Sequence, residues 1–390
     1  MNLDRRTLLP RAPRSRHTSP PTRLAALRGA VALVLVTLAG LSPGPVAAAI
    51  DATGRALNER GAFKELRAYV TPRYQANPND AETVYLMSRV KQVFGDRAKA
   101  LELAERATQL DPRSGMYRLQ VAEVCGQMAQ GQGPLKGMSL GKRFKKEAEA
   151  ALALDPSLLD ARVDLMMFYL MAPGIAGGSQ KKAEAMAVEI AKLDPAQGHM
   201  ARARIALDKR DTTRAAESYR QAAQVGASSY DARIAAASFF ASRRDWKTAE
   251  MHGLAARGID ARRPAGHSIV AIVQAMQERW TDLDATLAGA EAALPGNFGP
   301  HYQTARALVL ERKEPARAER YLRKFLSVEP EGATPGWSAA HWRLGLALEQ
   351  RGQTAEAIAE IEKALAMKPD NDDAKKDLKR LKRGRPVASN

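Results

Sequence analysis

The sequence is poor in the residues that cross-link a chain or carry chemistry. Among its 390 residues there is one cysteine, Cys125. A single cysteine cannot close an internal disulfide, so packing alone must hold the fold. No histidine or asparagine pattern accompanies Cys125, so it is expected to be a small buried residue rather than a nucleophile. Aromatic residues make up 5% of the chain. No segment alternates polar and apolar side chains with the period of two that a half-buried strand needs, which excludes a sandwich or barrel. The histidines (His17, His199, His252, His267, His301 and His341) are scattered, and no H-E-x-x-H occurs, so no zinc-peptidase site is present. There is no G-x-x-x-x-G-K-[ST] loop, no G-x-G-x-x-G after a strand, and no G-x-S-x-G elbow. The expectation is a non-enzyme, with no catalytic residue, no cofactor and no metal ligand.

What the chain has instead is helix-forming sequence. Runs such as ALELAERATQL and AEAIAEIEKALAMK place apolar residues three and four apart, the period of an amphipathic helix. Their Ala, Leu, Glu and Lys residues are strong helix formers. The expected class is all-α.

The first fifty residues differ from the rest. Residues 1–28 hold seven arginines and one acid, Asp4; Gly29 to Leu41 is uncharged and apolar over 13 residues; SPGP and VAAA follow. Basic, apolar and small-residue regions in that order make a secretory signal peptide, with cleavage expected after Ala49. Thirteen apolar residues fall short of the roughly 20 that span a bilayer core. A permanent N-terminal anchor is therefore the alternative, and no stable span is expected after cleavage. No cysteine follows the apolar run, which argues against a lipoprotein. The expected location is the periplasm of a bacterium. Removing residues 1–49 lowers the formal charge from +17 to +11, so part of the basicity is targeting. The cluster Lys375, Lys376, Lys379, Arg380, Lys382, Arg383 and Arg385 suits the C-terminal dipole of a solvated last helix, and no nucleic-acid partner is expected.

Self-similarity is the main feature. Polar turns after helices carry prolines at 78, 112, 156, 195, 295, 330 and 369, and 34 residues separate Pro78 from Pro112. Between Pro195 and Pro295 there is room for three more units, with ends near Gly226 and Ala261. Upstream of Pro369 stand Ala364, Ile361, Ala357, Gly352, Gly345 and Leu344; upstream of Pro112, at matching offsets, stand Ala107, Ala104, Ala100 and Gly95; upstream of Pro78 stand Gly61 and Gly54. This pattern resembles the tetratricopeptide repeat, whose two helices carry small residues where they touch. The stretch GKRFKKEAEAALALDP followed by FYLMAPGIAGGS resembles a group of exported bacterial proteins of that family. The resemblance implies a right-handed α-solenoid of about nine helical hairpins over residues 50–383, with Asp372 to Arg383 as a polar capping helix. Residues 384–390 would form a disordered tail.

In that frame the extra residues fall in GQGPLKGMSLG (131–141) and PGIAGGS (173–179), each expected as an enlarged glycine-rich loop inside a hairpin. The two loops should be neighbours on one edge of the stack, often a binding face. Gly174, Gly177, Gly178, Ser179, Lys181 and Lys182 are the candidate contact residues there, the alternative being a joint in which the glycines turn and Ser179 caps the next helix. The first helices of the hairpins, by the resemblance, line a concave groove. Its candidate partner-binding residues are Tyr85, Arg89, Gln92, Leu119, Glu123, Val163, Met167 and Leu170. Cys125 and Tyr169, thirteen residues past Pro112 and Pro156, fall where a first helix packs inward.

The expected function is an exported scaffold or adaptor that binds protein or peptide partners in cell-envelope assembly. One alternative is a binder of an anionic small ligand or polymer through the twin loops; another is a non-catalytic subunit of an envelope enzyme complex.

Overall fold

The computed structural model describes residues 51–130 and 132–384. The expected signal peptide and the last six residues lie outside this range. Among the described residues there are nineteen α-helices and no strands.

The helices pair as antiparallel hairpins: α1 (Ala52–Arg60) with α2 (Phe63–Ala76), α3 (Ala81–Val93) with α4 (Arg97–Leu110), and α5 (Gly115–Ala129) with α6 (Pro134–Leu154). Next come α7 (Leu159–Met171) with α8 (Gln180–Leu193), α9 (Pro195–Asp208) with α10 (Thr212–Val225), and α11 (Tyr230–Ser242) with α12 (Trp246–Ile259). The last three are α13 (Pro264–Met276) with α14 (Trp280–Ala293), α15 (Gly299–Leu310) with α16 (Pro315–Leu326), and α17 (Trp337–Gln350) with α18 (Thr354–Met367). A final α19 (Asp372–Lys382) buries only Ala374 and Leu381 and closes the stack with a polar face. This is the expected solenoid of nine hairpins and a cap.

Local signals set the helix boundaries. Asp80, Asp96, Asp211 and Asp245 accept hydrogen bonds from the backbone N–H three residues on, at 2.9, 3.2, 2.9 and 3.2 Å, each satisfying an orphan donor of a helix start. Small residues set the packing distance within and between hairpins. A Cβ on Gly345 would stand 2.5 Å from Ile361 Cγ1, and one on Gly54 2.4 Å from Leu86 Cδ1. Ala100, Ala104, Ala107, Ala357 and Ala364 are fully buried. Cys125 is buried as expected, and its burial pushes the thiol pKa up, away from the reactive thiolate.

Successive first helices touch one another from α1 through α5 and from α7 through α17, whereas successive second helices make no comparable contact. The stack therefore curves with its first helices on the inner side.

The two insertions are accommodated differently. The PGIAGGS segment remains a loop around a single 3-10 turn, Gly174–Ala176. The 131–141 insertion is not an enlarged loop: residues from Pro134 onward extend α6 to 21 residues, against 14 for α4 and α8. Proline at the first helical position starts the helix where its missing N–H costs nothing. Gly137 and Gly141 are then carried inside the helix at a modest propensity cost.

Candidate functional site

The inner faces of α3, α5 and α7 bring several expected contact residues together. Arg89 is the hub. Its Nη1 donates to Gln92 Oε1 (3.0 Å) and Gln120 Oε1 (3.1 Å), and it is ion-paired with Glu123; its Nε donates to Asn58 Oδ1 at 3.2 Å. Gln120 Nε2 in turn donates to Ser88 Oγ and Gln92 Oε1, both at 3.0 Å. Within this network Ser88, Gln92 and Gln120 are buried, whereas Arg89 and Glu123 keep side-chain exposures of 21% and 28%.

Three of the expected groove residues are placed otherwise. Tyr85 and Leu119 are buried in the core between hairpins, and Gln92 is buried inside the polar network. Tyr85 packs on Tyr117 with ring centroids 5.3 Å apart, and burial pushes its hydroxyl pKa up to about 12. These side chains shape the surface from beneath. Val163, Met167 and Leu170 are partly buried along α7.

An open cavity of about 500 Å³ lies between α5, α6 and α7. Phe144, Met167, Phe168 and Met171 give it apolar walls, and Glu123 and Asp164 give it two carboxylates. Phe144 and Phe168 stack at 5.5 Å. A Cβ on Gly126 would lie 3.1 Å from Phe144 Cδ2, so glycine there leaves the ring room. Burial, with the nearby charges of Glu123 and Asp160, pushes the Asp164 carboxyl up to about 7, against the opposing pull of Arg89 and Arg204. Asp164 and Phe144 were not among the residues expected from sequence. Asp164 does share the α7 stripe of Met167 and Met171, at spacings of three and seven. Phe144 stands twelve residues before Pro156, the offset at which Ala100 and Ala357 precede Pro112 and Pro369, so a large ring takes the place of a small packing residue.

Gly141 and Ala172, at the edges of the two segments, line this cavity, and the 3-10 turn packs against α6. Leu135 and Ile175 project from the two segments, and Met171 from the adjoining end of α7, at 87%, 83% and 75% exposure, more than any other large apolar side chain among the described residues. Within PGIAGGS the glycines serve the joint. Gly177 has φ +100, a left-handed conformation that suits glycine. A Cβ on Gly178 would stand 1.7 Å from the Ala172 carbonyl oxygen. Ser179 Oγ accepts from the Lys182 N–H at 3.3 Å, capping α8 as expected, while a Cβ on Gly174 would meet open space. Lys181 and Lys182 are exposed; the Lys182 ammonium lies 5.5 Å from the Tyr169 ring centroid, and that of Lys145 5.9 Å.

Among the described residues no group of three or more His, Cys, Asp or Glu side chains could hold a metal ion, and no helix is long and apolar enough to cross a membrane.

Comparison with known proteins agrees with this architecture. Residues 302–372 match the family model described as Tetratricopeptide repeat, a span covering most of α15 through α18. No curated protein matches the chain. Similar solved structures include a thermophilic tetratricopeptide-repeat protein of Thermus thermophilus, at 19% identity and TM-score 0.43, covering 48% of this chain and 96% of that one. Yeast Tom70 is similar at 12% identity and TM-score 0.46, covering 86% and 88% respectively. A tetratricopeptide repeat protein from Parabacteroides merdae is similar at 13% identity and TM-score 0.43, covering 67% and 98%. The chain is an α-solenoid of tetratricopeptide-like hairpins, a class suited to protein–protein interaction.

Proposed function

We propose that this protein is an exported scaffold that captures a segment of a partner protein in the cell envelope, using the groove between α5, α6 and α7. The observation that carries this is the pairing of a roughly 500 Å³ apolar cavity with two inward carboxylates, Glu123 and Asp164. An apolar anchor side chain would fill the Phe144–Phe168–Met167 walls, and a lysine or arginine beside it would meet the carboxylates. Methionine walls adapt to anchors of different shape, and buried apolar anchors in well-packed pockets dominate such interfaces. The exposed Leu135, Met171 and Ile175 would extend the contact over the rim. Export and a periplasmic site of action follow from the basic, apolar and small-residue order of residues 1–49.

The twin segments support contact with protein more than with an anion. Gly177 and Gly178 are explained by the turn and Ser179 by the cap, and the exposed Leu135, Met171 and Ile175 stand beside Lys181 and Lys182 on the rim. Crosslinking pull-downs from periplasmic extract should enrich a specific partner with the wild-type chain and lose it with Met171→Asp plus Asp164→Lys. No enrichment, or enrichment indifferent to those substitutions, would remove the proposal.

A further inference from the structure

The linkers between α2 and α3, α4 and α5, and α10 and α11 are four residues each (77–80, 111–114 and 226–229). The linker between α16 and α17 runs from 327 to 336, and it is where the extra residues between Pro330 and Pro369 reside. Its sequence, SVEPEGATPG, is acidic and runs through bends and a turn without forming a helix. It does not lie only on its own hairpins but reaches the first two. The backbone N–H of Lys64, in the first turn of α2, donates to Glu331 Oε2 at 3.0 Å. The Lys64 ammonium donates to the Glu329 carbonyl at 3.0 Å and the Gly296 carbonyl at 2.7 Å. Arg67 holds the Glu329 carboxylate with both terminal nitrogens, at 2.9 and 2.5 Å, and its guanidinium lies 4.3 Å from the Phe94 ring centroid. The Ala333 N–H donates to the Val93 carbonyl at 2.9 Å. Gly332 approaches so closely that a Cβ there would stand 2.6 Å from Val93 Cγ1. Behind the linker is a second cavity of about 440 Å³, with Phe63, Val93, Ile234, Ile269, Ile272 and Phe325 among its walls.

We propose that this linker is a resident pseudo-ligand, and that its seat on α2 and the end of α3 is a docking site for a non-helical acidic segment of a partner protein. The seat has the parts such a segment needs. Two cations face two carboxylates spaced by one residue. The α2 N-terminus has no side-chain cap of its own, so a carboxylate there satisfies an orphan donor. A main-chain hydrogen bond to Val93 fixes the direction of the entering strand, and the glycine position demands a small residue after the second carboxylate. The linker is fastened by two ion pairs and a few hydrogen bonds; the Arg67–Glu329 pair is exposed at 39% and 42%, the Lys64–Glu331 pair at 23% and 22%. Such pairs hold weakly and are screened by salt. A tethered segment occupies its seat at an effective concentration on the order of millimolar, so the site is masked but exchangeable. Displacing the linker would also open the apolar chamber behind it. This site is separate from the α5–α7 groove, and neither proposal depends on the other.

The probe is a fluorescein-labelled synthetic peptide with the sequence of residues 327–337, titrated against the whole chain and followed by anisotropy. The wild-type chain should bind it weakly. Glu329→Gln plus Glu331→Gln, which loosens the linker, should bind at least tenfold more tightly, with affinity falling as salt rises. Adding Lys64→Glu plus Arg67→Glu should abolish that binding. Gly332→Leu, which expels the linker by size without changing charge, should reproduce the gain. A wild-type measurement needs no variant to fold: excess peptide should accelerate hydrogen exchange at the Ala333 amide, while a peptide with both glutamates replaced by glutamine should not. Equal binding to wild-type and loosened chains, or unchanged exchange at Ala333, overturns the proposal.

Discussion

Gly178 and Ala172 meet so closely across the PGIAGGS turn that a Cβ on Gly178 would stand 1.7 Å from the Ala172 carbonyl oxygen and 2.7 Å from its carbon. Neither backbone atom can step aside without unwinding the end of α7. Gly178→Ala should therefore destabilise the chain by about 2–3 kcal/mol, in the range for strain at a tight backbone position. Gly174→Ala, whose Cβ meets open space, should change stability by less than about 0.5 kcal/mol. Urea unfolding midpoints of the two variants check this. Equal shifts would show that the glycines are not serving the turn.

The hairpin turns of the middle repeats carry a second kind of strain. Gly61, Gly95 and Gly352 occupy the left-handed position of their turns at φ +74, +91 and +79. Arg210, Arg244, Glu278 and Arg312 occupy it in other turns at φ +59, +59, +59 and +54. A side chain there costs roughly 1–2 kcal/mol, and the greater unfolded-state freedom of glycine returns part of that. Arg210 is exposed, so Arg210→Gly should stabilise by about 0.5–1 kcal/mol net. A raised melting temperature is the expected result, and a lowered one would refute it.

Those same four residues explain where the sequence was hard to read. They recur every 34 residues, so the repeat is regular through the middle of the chain, but its glycine signature is replaced by charged side chains. The proline signature is displaced too: α9 begins with Pro195 itself, and α10 ends at Gly226 with no proline. The fold remained legible because small-residue packing and helix spacing persist. The site was less so. Arg89 and Glu123 could be placed on the inner face by offset from a proline, but offset does not report depth, and Tyr85, Gln92 and Leu119 proved buried. The α5–α7 cavity is walled by Phe144, a ring where other repeats carry alanine, and the offset alone does not reveal that it borders a cavity; nor do extra residues counted in sequence reveal whether they extend a helix, as in α6, or a loop. The seat of the 327–336 linker joins segments about 265 residues apart, as Lys64 and Glu329 show. No local pattern encodes that.

The first three hairpins are tied by a buried carboxylate. Glu82 accepts from Arg55 at 2.6 and 2.8 Å and from the Tyr117 hydroxyl at 2.8 Å. Glu82→Ala would leave the guanidinium and the hydroxyl short of a partner, at a cost of about 2–3 kcal/mol. Tyr117→Phe removes one hydrogen bond and should cost about 1 kcal/mol. Because α1 rests on this anchor, hydrogen exchange in residues 52–60 should rise selectively in Glu82→Ala. Uniform loosening of all nine hairpins would count against the local role.

Asp164 makes the α5–α7 groove sensitive to pH. Burial and the charges of Glu123 and Asp160 raise its carboxyl to about 7 in the fold, while in the unfolded chain it titrates near the usual value of about 4. Between those values the folded state holds a proton that the unfolded state has released. Stability from this group therefore falls as pH rises through that window and levels off above it. Asp164→Asn removes the titration. The variant should match the wild type near pH 4 and exceed it in melting temperature at pH 8. Parallel melting curves across that range would show that the carboxyl ionises freely. A lysine or arginine entering the cavity would stabilise the charged carboxylate and release the proton. Capture of a basic partner segment should thus release close to one proton at pH 6 and almost none at pH 8, measurable as a buffer-dependent heat of binding that Asp164→Asn abolishes.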